Sequence, residues 1–384
     1  MCLMEIMKGT DCVGTLVLLQ KQKGKYPTYW LVGTPCLQGL ERNLMDNFTG
    51  GLRQEFDYAL TTASHIPNLV ETFNNWFYDG PKDIGMNLHL HGITAGRACE
   101  RASLFLPDGR ILITQSEGTF TNGNAPGGTN LRLHCEKPFR SWRYRWTGKA
   151  LVTTEEQQAR GLVCEGPTTH VDVDIRATTQ GEPWIIPLST GPGNQSAAVE
   201  TQSDFLGKYE QLVKAVGQIK VATESWNFEG VGLRAHVRGL RDMTGMKSHA
   251  WVCGFFPGGR GFGLKVLNKE CNIPYFSEAY IFENQQVHRA KVLQVPVLDR
   301  VPKLPPYTVI LKSALGTAHI KGKNVKTTWI PVGTWNEGKP GGKTKSISLD
   351  FHGLVVDCEV LMSQSCSVFE WDNEVGYGMC ELSG

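Results

Sequence analysis

The sequence predicts an all-β protein in which two tandem antiparallel barrels follow a partly helical N-terminal appendage. Three observations carry this. From Trp76 onward apolar and polar residues alternate with period two. The chain holds 43 glycines and 19 prolines, which suits frequent turns between short strands. Two hairpin signals, Pro107-Asp108-Gly109-Arg110 and Pro257-Gly258-Gly259-Arg260, sit between runs of strand-forming residues.

Residues 36–72 are the most helix-like segment. Leu37, Leu40, Leu44 and Phe48, then Leu52, Phe56 and Leu60, fall near helical spacing around a break at Gly50-Gly51. Residues 1–72 are therefore expected to form the appendage. Asn87, His89 and His91 alternate with Leu88 and Leu90 on a first strand, and residues 102–106 and 111–113 flank the first turn. Residues 233–237 again make a strand with an internal histidine, followed by the second hairpin over 251–266. The near-equal spacing from His89 to Asp108 and from His236 to Gly258 suggests a duplicated unit. Closed barrels leave no open edges, and two of them, at 73–215 and 216–384, accommodate the remaining strands. Trp142, Tyr144 and Trp146 share one strand face, as do Phe276 and Tyr280, and read as core; Asp172 and Asp174 read as an outer, solvated face.

Lys+Arg 39 against Asp+Glu 37 gives a formal charge of +2, so no global attraction to nucleic acid or anionic membrane is implied. The start lacks the features of a secretory signal, and no stretch is apolar for the roughly 18 residues of a membrane span, so a soluble, cytoplasmic protein is expected. Eleven cysteines without any C-x-x-C spacing read as reduced, packed thiols. No nucleophile elbow, dinucleotide fingerprint, phosphate-binding loop or kinase signature is present.

The strongest local signal is Gly232-Leu233-Arg234-Ala235-His236 followed by Gly239-Leu240-Arg241-Asp242. It resembles the Gly-x-Arg-Asp-His-Ser-x-Gly-x-Arg-Asp-Trp motif of the carotenoid 1,2-hydratase (hydroxyneurosporene synthase) and AttH-like superfamily. The resemblance is closest to the metazoan branch found ahead of phosphoenolpyruvate-synthase-like domains. Tyr209-Glu210-Gln211 with Gly217, the Trp142 to Gly148 segment and the closing run Gly376 to Glu381 extend it over roughly residues 70 to 384. It implies two lipocalin-like barrels and addition of water across a carbon–carbon double bond without an organic cofactor. The motif's acid, its natural proton donor, is Ala235 here, its Ser is Val237 and its Trp is Met243. Asp242, Glu210 and Glu278 are the candidate substitute acids.

Arg234, His236 and Arg238 alternate onto one strand face, and His249 and Trp251 onto another. If both faces point into one barrel, they surround a shared chamber. His236 is then the polarising or proton-shuttling group, Arg234 the anchor for an oxygen function, and Asp242 with Arg241 the support. His249, Trp251, His89, His91 and Glu210 line the ligand. A His89/His91 metal pair, completed by His134 or Glu117, is the weaker alternative, and no metal or other cofactor is expected. The expected ligand is an apolar or amphipathic small molecule such as an isoprenoid, steroid or polyketide. The expected activity is hydration, isomerisation or cyclisation, with a non-catalytic carrier or sensor as the rival.

Overall fold

The computed structural model describes residues 2–6, 14–21, 28–31, 48–60, 69–93, 97–119, 121, 123–159, 166–187, 207–240, 248–270, 273–296, 304–332 and 360–383. The chain divides into Met1–Asn47 and Phe48–Gly384. In the first unit, β1 (Cys2–Ile6), β2 (Gly14–Lys21) and β3 (Thr28–Leu31) pair in that order as an antiparallel sheet.

The second unit begins with a short segment over 48–60 whose only helical feature is a 3-10 turn at Gln54–Asp57. The longer helix expected over 36–72 is therefore not formed in its described part, and residues 36–47 and 61–68 lie outside the described residues. Gly50 and Gly51 have φ of 57° and 85°, which breaks any helix there. Phe48, with Leu52 and Phe56, packs on Phe139 and Tyr209 instead.

The first sheet comprises β4 (Leu69–Asp79), β5 (Ile84–Ile93), β6 (Arg97–Phe105), β7 (Ile111–Thr119), β8 (Leu131–Lys137), β9 (Ser141–Thr153), β10 (Thr168–Thr179), β11 (Trp184–Pro187), β12 (Gly207–Val221) and β13 (Glu224–Leu240). A five-residue helix, α1 (Glu155–Ala159), follows β9. Strand pairings run without a break through β4-β5-β6-β7-β9-β10-β12-β13 and back to β4, with β8 and β11 as side branches on β9 and β12. This circuit crosses the boundary expected near residue 215, which falls inside β12; the second barrel starts only at Ser248. That barrel is closed: β14 (Ser248–Phe255), β15 (Gly261–Glu270), β16 (Ile273–Glu283), β17 (Gln286–Gln294), β18 (Tyr307–Ser313), β19 (Gly316–Val332), β20 (Val360–Trp371) and β21 (Glu374–Ser383), with β21 pairing β14.

The alternation of side chains along each strand sorts them into three layers. Phe77, Leu88, Leu104, Trp142, Tyr144 and Trp146 fill the first barrel, and Val252, Phe262, Leu264, Val309 and Phe369 fill the second. A third cluster, with Trp76, Leu212, Leu233, Ala235, Trp251, Cys253 and Tyr280, joins the outer face of the first barrel to the outer face of the second. An eight-stranded barrel is just wide enough for its own side chains. Both interiors are packed with them, so neither is the container that the sequence suggested.

The hairpin expectation holds in both halves. Gly109 and Gly259 take φ of 89° and 86°, conformations open to glycine, and the flanking hydrogen bonds repeat: Leu106 N–H to Arg110 O and Phe256 N–H to Arg260 O, each 2.9 Å. Each turn's arginine reaches a glutamate 114 residues further on, Glu224 from Arg110 and Glu374 from Arg260. That equal separation supports the duplication. Asp174 pairs with Arg143 and Arg145 on the outer surface, as expected. Among the described residues, no helix is long and apolar enough to cross a membrane.

Candidate active site

Strands β12 and β13 carry two polar groups on opposite faces, and the register shows why. Odd-numbered residues of β12 (Tyr209, Gln211, Val213) and even-numbered ones of β13 (Arg234, His236, Arg238) face the interior of the first barrel. Glu210 and Ala235, paired across the two strands, face the second barrel. Gly232 of the motif allows β13 to lie close against β4, because a Cβ there would sit 1.8 Å from the Trp76 carbonyl oxygen.

The inner group centres on Asp57, which the 48–60 segment carries into the barrel end. Its carboxylate accepts from Arg234 Nη2 (2.5 Å), Tyr209 Oη (2.5 Å), the Phe139 amide (2.5 Å) and Trp142 Nε1 (2.8 Å). Burial alone would favour the neutral acid, yet Arg234, Tyr209 and the two N–H donors hold its pKa below the usual value. His236 lies between Tyr209 Oη (2.9 Å at Nδ1) and Glu71 Oε1 (2.8 Å at Nε2), stacked on Phe73 at 4.1 Å. Arg238 Nε donates to the same Glu71 oxygen (2.7 Å), and Gln211 links Arg234 to the carbonyls of Phe48, Phe139 and Gly181.

Proton counting constrains this group. Burial chiefly lowers the His236 pKa, and burial with the Asp57 charge raises that of Tyr209, so the ring is neutral and the phenol protonated. Glu71 is ionised: burial opposes it, but His236 and Arg238 prevail. The single imidazole proton therefore belongs on Nε2, facing Glu71, and Nδ1 is an acceptor. Tyr209 has one proton for two acceptors, Asp57 and His236, and donates to one at a time. Of the buried polar atoms in these eight side chains, Arg234 Nε alone lacks a partner.

The outer group is different in kind. Trp184, Glu210, Ala235, Asn74, His89 and Arg101 are paired neighbour to neighbour, so they form one row across the sheet. At about 4.8 Å per strand, the four steps from Glu210 to Arg101 span some 19 Å along the curved sheet. The second barrel presents a matching row of Gln364, Glu381, Trp251, Lys265 and Glu278. Lys208 forms an ion pair with Glu210 and places its ammonium 4.1 Å from the Trp251 ring centroid, tying the two rows together. Trp184 packs against Tyr280 with ring centroids 4.9 Å apart and planes tilted by 42°. Neither Glu210 oxygen meets a well-directed hydrogen-bond donor, and Trp251 Nε1, Tyr280 Oη and Arg101 Nε are likewise buried without a partner. Buried polar atoms are normally satisfied, so such a concentration marks a place built to meet something else. Burial lowers the Arg101 pKa to about 9, against the charge of Glu381. Asn74, His89 and Lys265 remain half-buried among buried neighbours, so solvent reaches the middle of the rows.

The expected shared chamber is thus corrected. His236 and Arg234 point into the first barrel, whereas His249 and Trp251 point out of the second barrel toward the first. Strand alternation puts a sheet between the two sets. Glu210, His89, His91, His249 and Trp251 do share the inter-barrel side. Arg241 and Asp242 lie outside the described residues. Among the described residues, no three His, Cys, Asp or Glu side chains are placed to hold a metal. Asp57, Glu71, Lys208 and Tyr280 were missed as site residues: the first sits in a segment with helix-like spacing, and nothing in the local pattern of the others announces a site.

Two packed barrels with a polar seam between them define the class, a lipocalin-like two-barrel protein. The chain belongs to the family described as a domain of unknown function, DUF7064, whose model matches residues 54–295. No curated protein matches it. The crystal structure of a putative AttH from Nitrosomonas europaea is similar over 82% of this chain and 91% of its own, at 10% identity and a TM-score of 0.53. At that identity the likeness speaks to the fold alone. The crystal structure of kievitone hydratase from Nectria haematococca aligns over 88% of this chain and 95% of its own, at 11% identity and a TM-score of 0.47.

Proposed function

We propose that the seam between the barrels binds an elongated apolar or amphipathic small molecule and carries out acid–base chemistry on it without an organic cofactor, by hydration, isomerisation or cyclisation. One observation carries this reading: Glu210, paired directly across from Ala235, brings a buried carboxylate to the face from which the motif's acid is missing. Trp184, Trp251 and Tyr280 supply apolar walls with polar edges, suited to a ligand with scattered oxygens.

As the carboxylate of an ion pair, Glu210 is a base. It can take a proton from a carbon beside a carbonyl or from an attacking water, and return it elsewhere on the ligand. Lys208, next to it, donates to the oxygen on which negative charge develops. Asn74, His89 and Arg101 extend the polar row along the ligand's length. In this reading His236 and Arg234 act behind the sheet as supports and do not touch the ligand.

A second reading has its own observation. Ala235 replaces the motif's acid, and a protein that had lost it would keep the seam as a carrier or sensor. Analysis by mass spectrometry of small molecules released from natively purified protein tests the site. A stoichiometric compound from wild type, absent from Trp251→Ala, is expected; its absence from wild type, or equal recovery from both, contradicts the proposal. Incubating that compound with wild type and Glu210→Gln then separates the readings, since only an enzyme converts it, and only with Glu210 intact.

A further inference from the structure

Among the buried arginines of the first barrel, Arg101 is the exception. Arg234 donates to Asp57 and Arg238 to Glu71, whereas Arg101 forms no ion pair among the described residues and its Nε has no partner. Only 5% of its surface is exposed. A buried cation without a hydrogen-bonded counter-charge is costly to keep. Its direction follows from strand alternation: Ala98, Ala102 and Leu104 of β6 fill the first barrel, so Arg101, Ser103 and Phe105 face the seam. Ser103 Oγ is a second buried polar atom without a partner on that face.

The neighbouring carboxylate does not answer this charge. Glu381 is the acidic group whose charge reaches Arg101, but its Oε1 accepts from His249 Nε2 at 3.0 Å and its Oε2 from Gln364 Nε2 at 2.7 Å. Burial opposes the ionisation of Glu381, yet His249, Gln364 and Lys265 hold its pKa at about 2, so it stands beside Arg101 as a fixed negative charge. One guanidinium next to such a charge suits a monoanion and disfavours a doubly charged phosphate monoester. The planar fork of guanidinium N–H groups matches the two oxygens of a carboxylate. At the other end of the row, Lys208 is already committed to Glu210 and to the face of Trp251. An acid placed there would meet a carboxylate whose cation is taken.

On the reading that the seam is the ligand site, we infer that the ligand is a long-chain carboxylic acid, its carboxylate held by Arg101 and Ser103 and its hydrocarbon chain running along the row toward Glu210. Gln115, the next residue of the row beyond Arg101, is exposed, so the head group sits at the seam's solvent edge and the chain is the part taken inside. Trp184, Trp251 and Tyr280 stand at the Glu210 end, where they meet apolar chain and not a charged head. The row spans about 19 Å along the sheet, and at about 1.5 Å per carbon–carbon bond, foreshortened by the zigzag, that is a chain of roughly 14–18 carbons.

The test titrates the full-length folded protein with oleate and with oleyl alcohol, which share one chain and differ in the head group, below the concentration at which either aggregates. Tryptophan fluorescence reports binding. Wild type is expected to bind oleate at least tenfold more tightly than the alcohol, and Arg101→Met to lose that preference. The Tm of Arg101→Met is expected at or above that of wild type, because a buried cation without a hydrogen-bonded partner has been removed. No binding of oleate, a smaller preference in wild type, or one undiminished in Arg101→Met overturns the inference. A lowered Tm of Arg101→Met does so too, by making the guanidinium part of the scaffold. Trp251→Ala keeps the two readings apart. If it weakens both compounds while wild type shows no preference, the seam stands and only the carboxylate anchor falls; if it binds both as wild type does, the seam itself is refuted.

Discussion

The two faces of the β12–β13 pair are alike in composition and opposite in logic. Inside the barrel, Asp57, Tyr209, Arg234, His236 and Glu71 use nearly every buried polar atom on one another. On the outside, Trp251 Nε1, Tyr280 Oη and Arg101 Nε are buried without a hydrogen-bond partner in the protein, and Glu210 has only its ion pair with Lys208. A satisfied network specifies the fold, whereas an unsatisfied one costs stability and is retained where a ligand completes it. Titratable groups with displaced pKa values occur on both faces, so displacement alone does not distinguish a site from a scaffold.

The comparison breaks first, and by the largest amount, at Asp57. Asp57→Asn removes the charge that compensates a buried guanidinium, and urea denaturation is expected to show a loss of about 3–5 kcal/mol. A loss below about 1 kcal/mol would remove the inner cluster's structural role. The same cluster sets the acid limb of stability. Asp57 and Glu71 have pKa values lowered by folding, as does Glu381, at about 2, so the unfolded chain binds more protons at low pH. Their contribution is complete above the ordinary carboxylate value near 4.5 and is lost as pH falls toward 2. His236, also lowered, adds a loss that begins below its ordinary value of 6.5. Glu71→Gln is expected to flatten the acid limb of a Tm against pH profile, and His236→Gln to remove its neutral shoulder.

A matched pair of smaller changes sharpens the contrast. Tyr209→Phe deprives Asp57 and His236 of a buried partner and should cost about 1–3 kcal/mol in the same denaturation experiment. Tyr280→Phe removes a hydroxyl that has no partner to lose, and should change stability by no more than about 0.5 kcal/mol. Equal losses for the two would contradict the distinction between the faces.

Much of the fold was legible because its rules are local. The Asp-Gly and Gly-Gly turns announced both hairpins, and the alternation around His89 and His236 announced the strands. The face that each strand buries was not legible, since a period of two gives alternation without saying which side meets the core. That is why His236 and His249 were grouped and are in fact separated by a sheet. Asp57 was hidden for another reason: its partners come from residues 139, 142, 209 and 234, and only the folded chain assembles them. Tyr209-Glu210-Gln211 stood out in sequence, but its middle residue belongs to one cluster and its flanking residues to the other.

The most direct measurement joins stability to occupancy in the double variant Lys208→Met/Glu210→Gln, which removes both members of the seam's ion pair and leaves no charge stranded. Denaturation and mass spectrometry of released small molecules are read on the same preparation. The account predicts stability within about 1 kcal/mol of wild type, or above it, together with loss of the bound compound. A chain destabilised as severely as Asp57→Asn that still releases the compound would show Glu210 to be scaffold and the seam's chemistry to lie elsewhere.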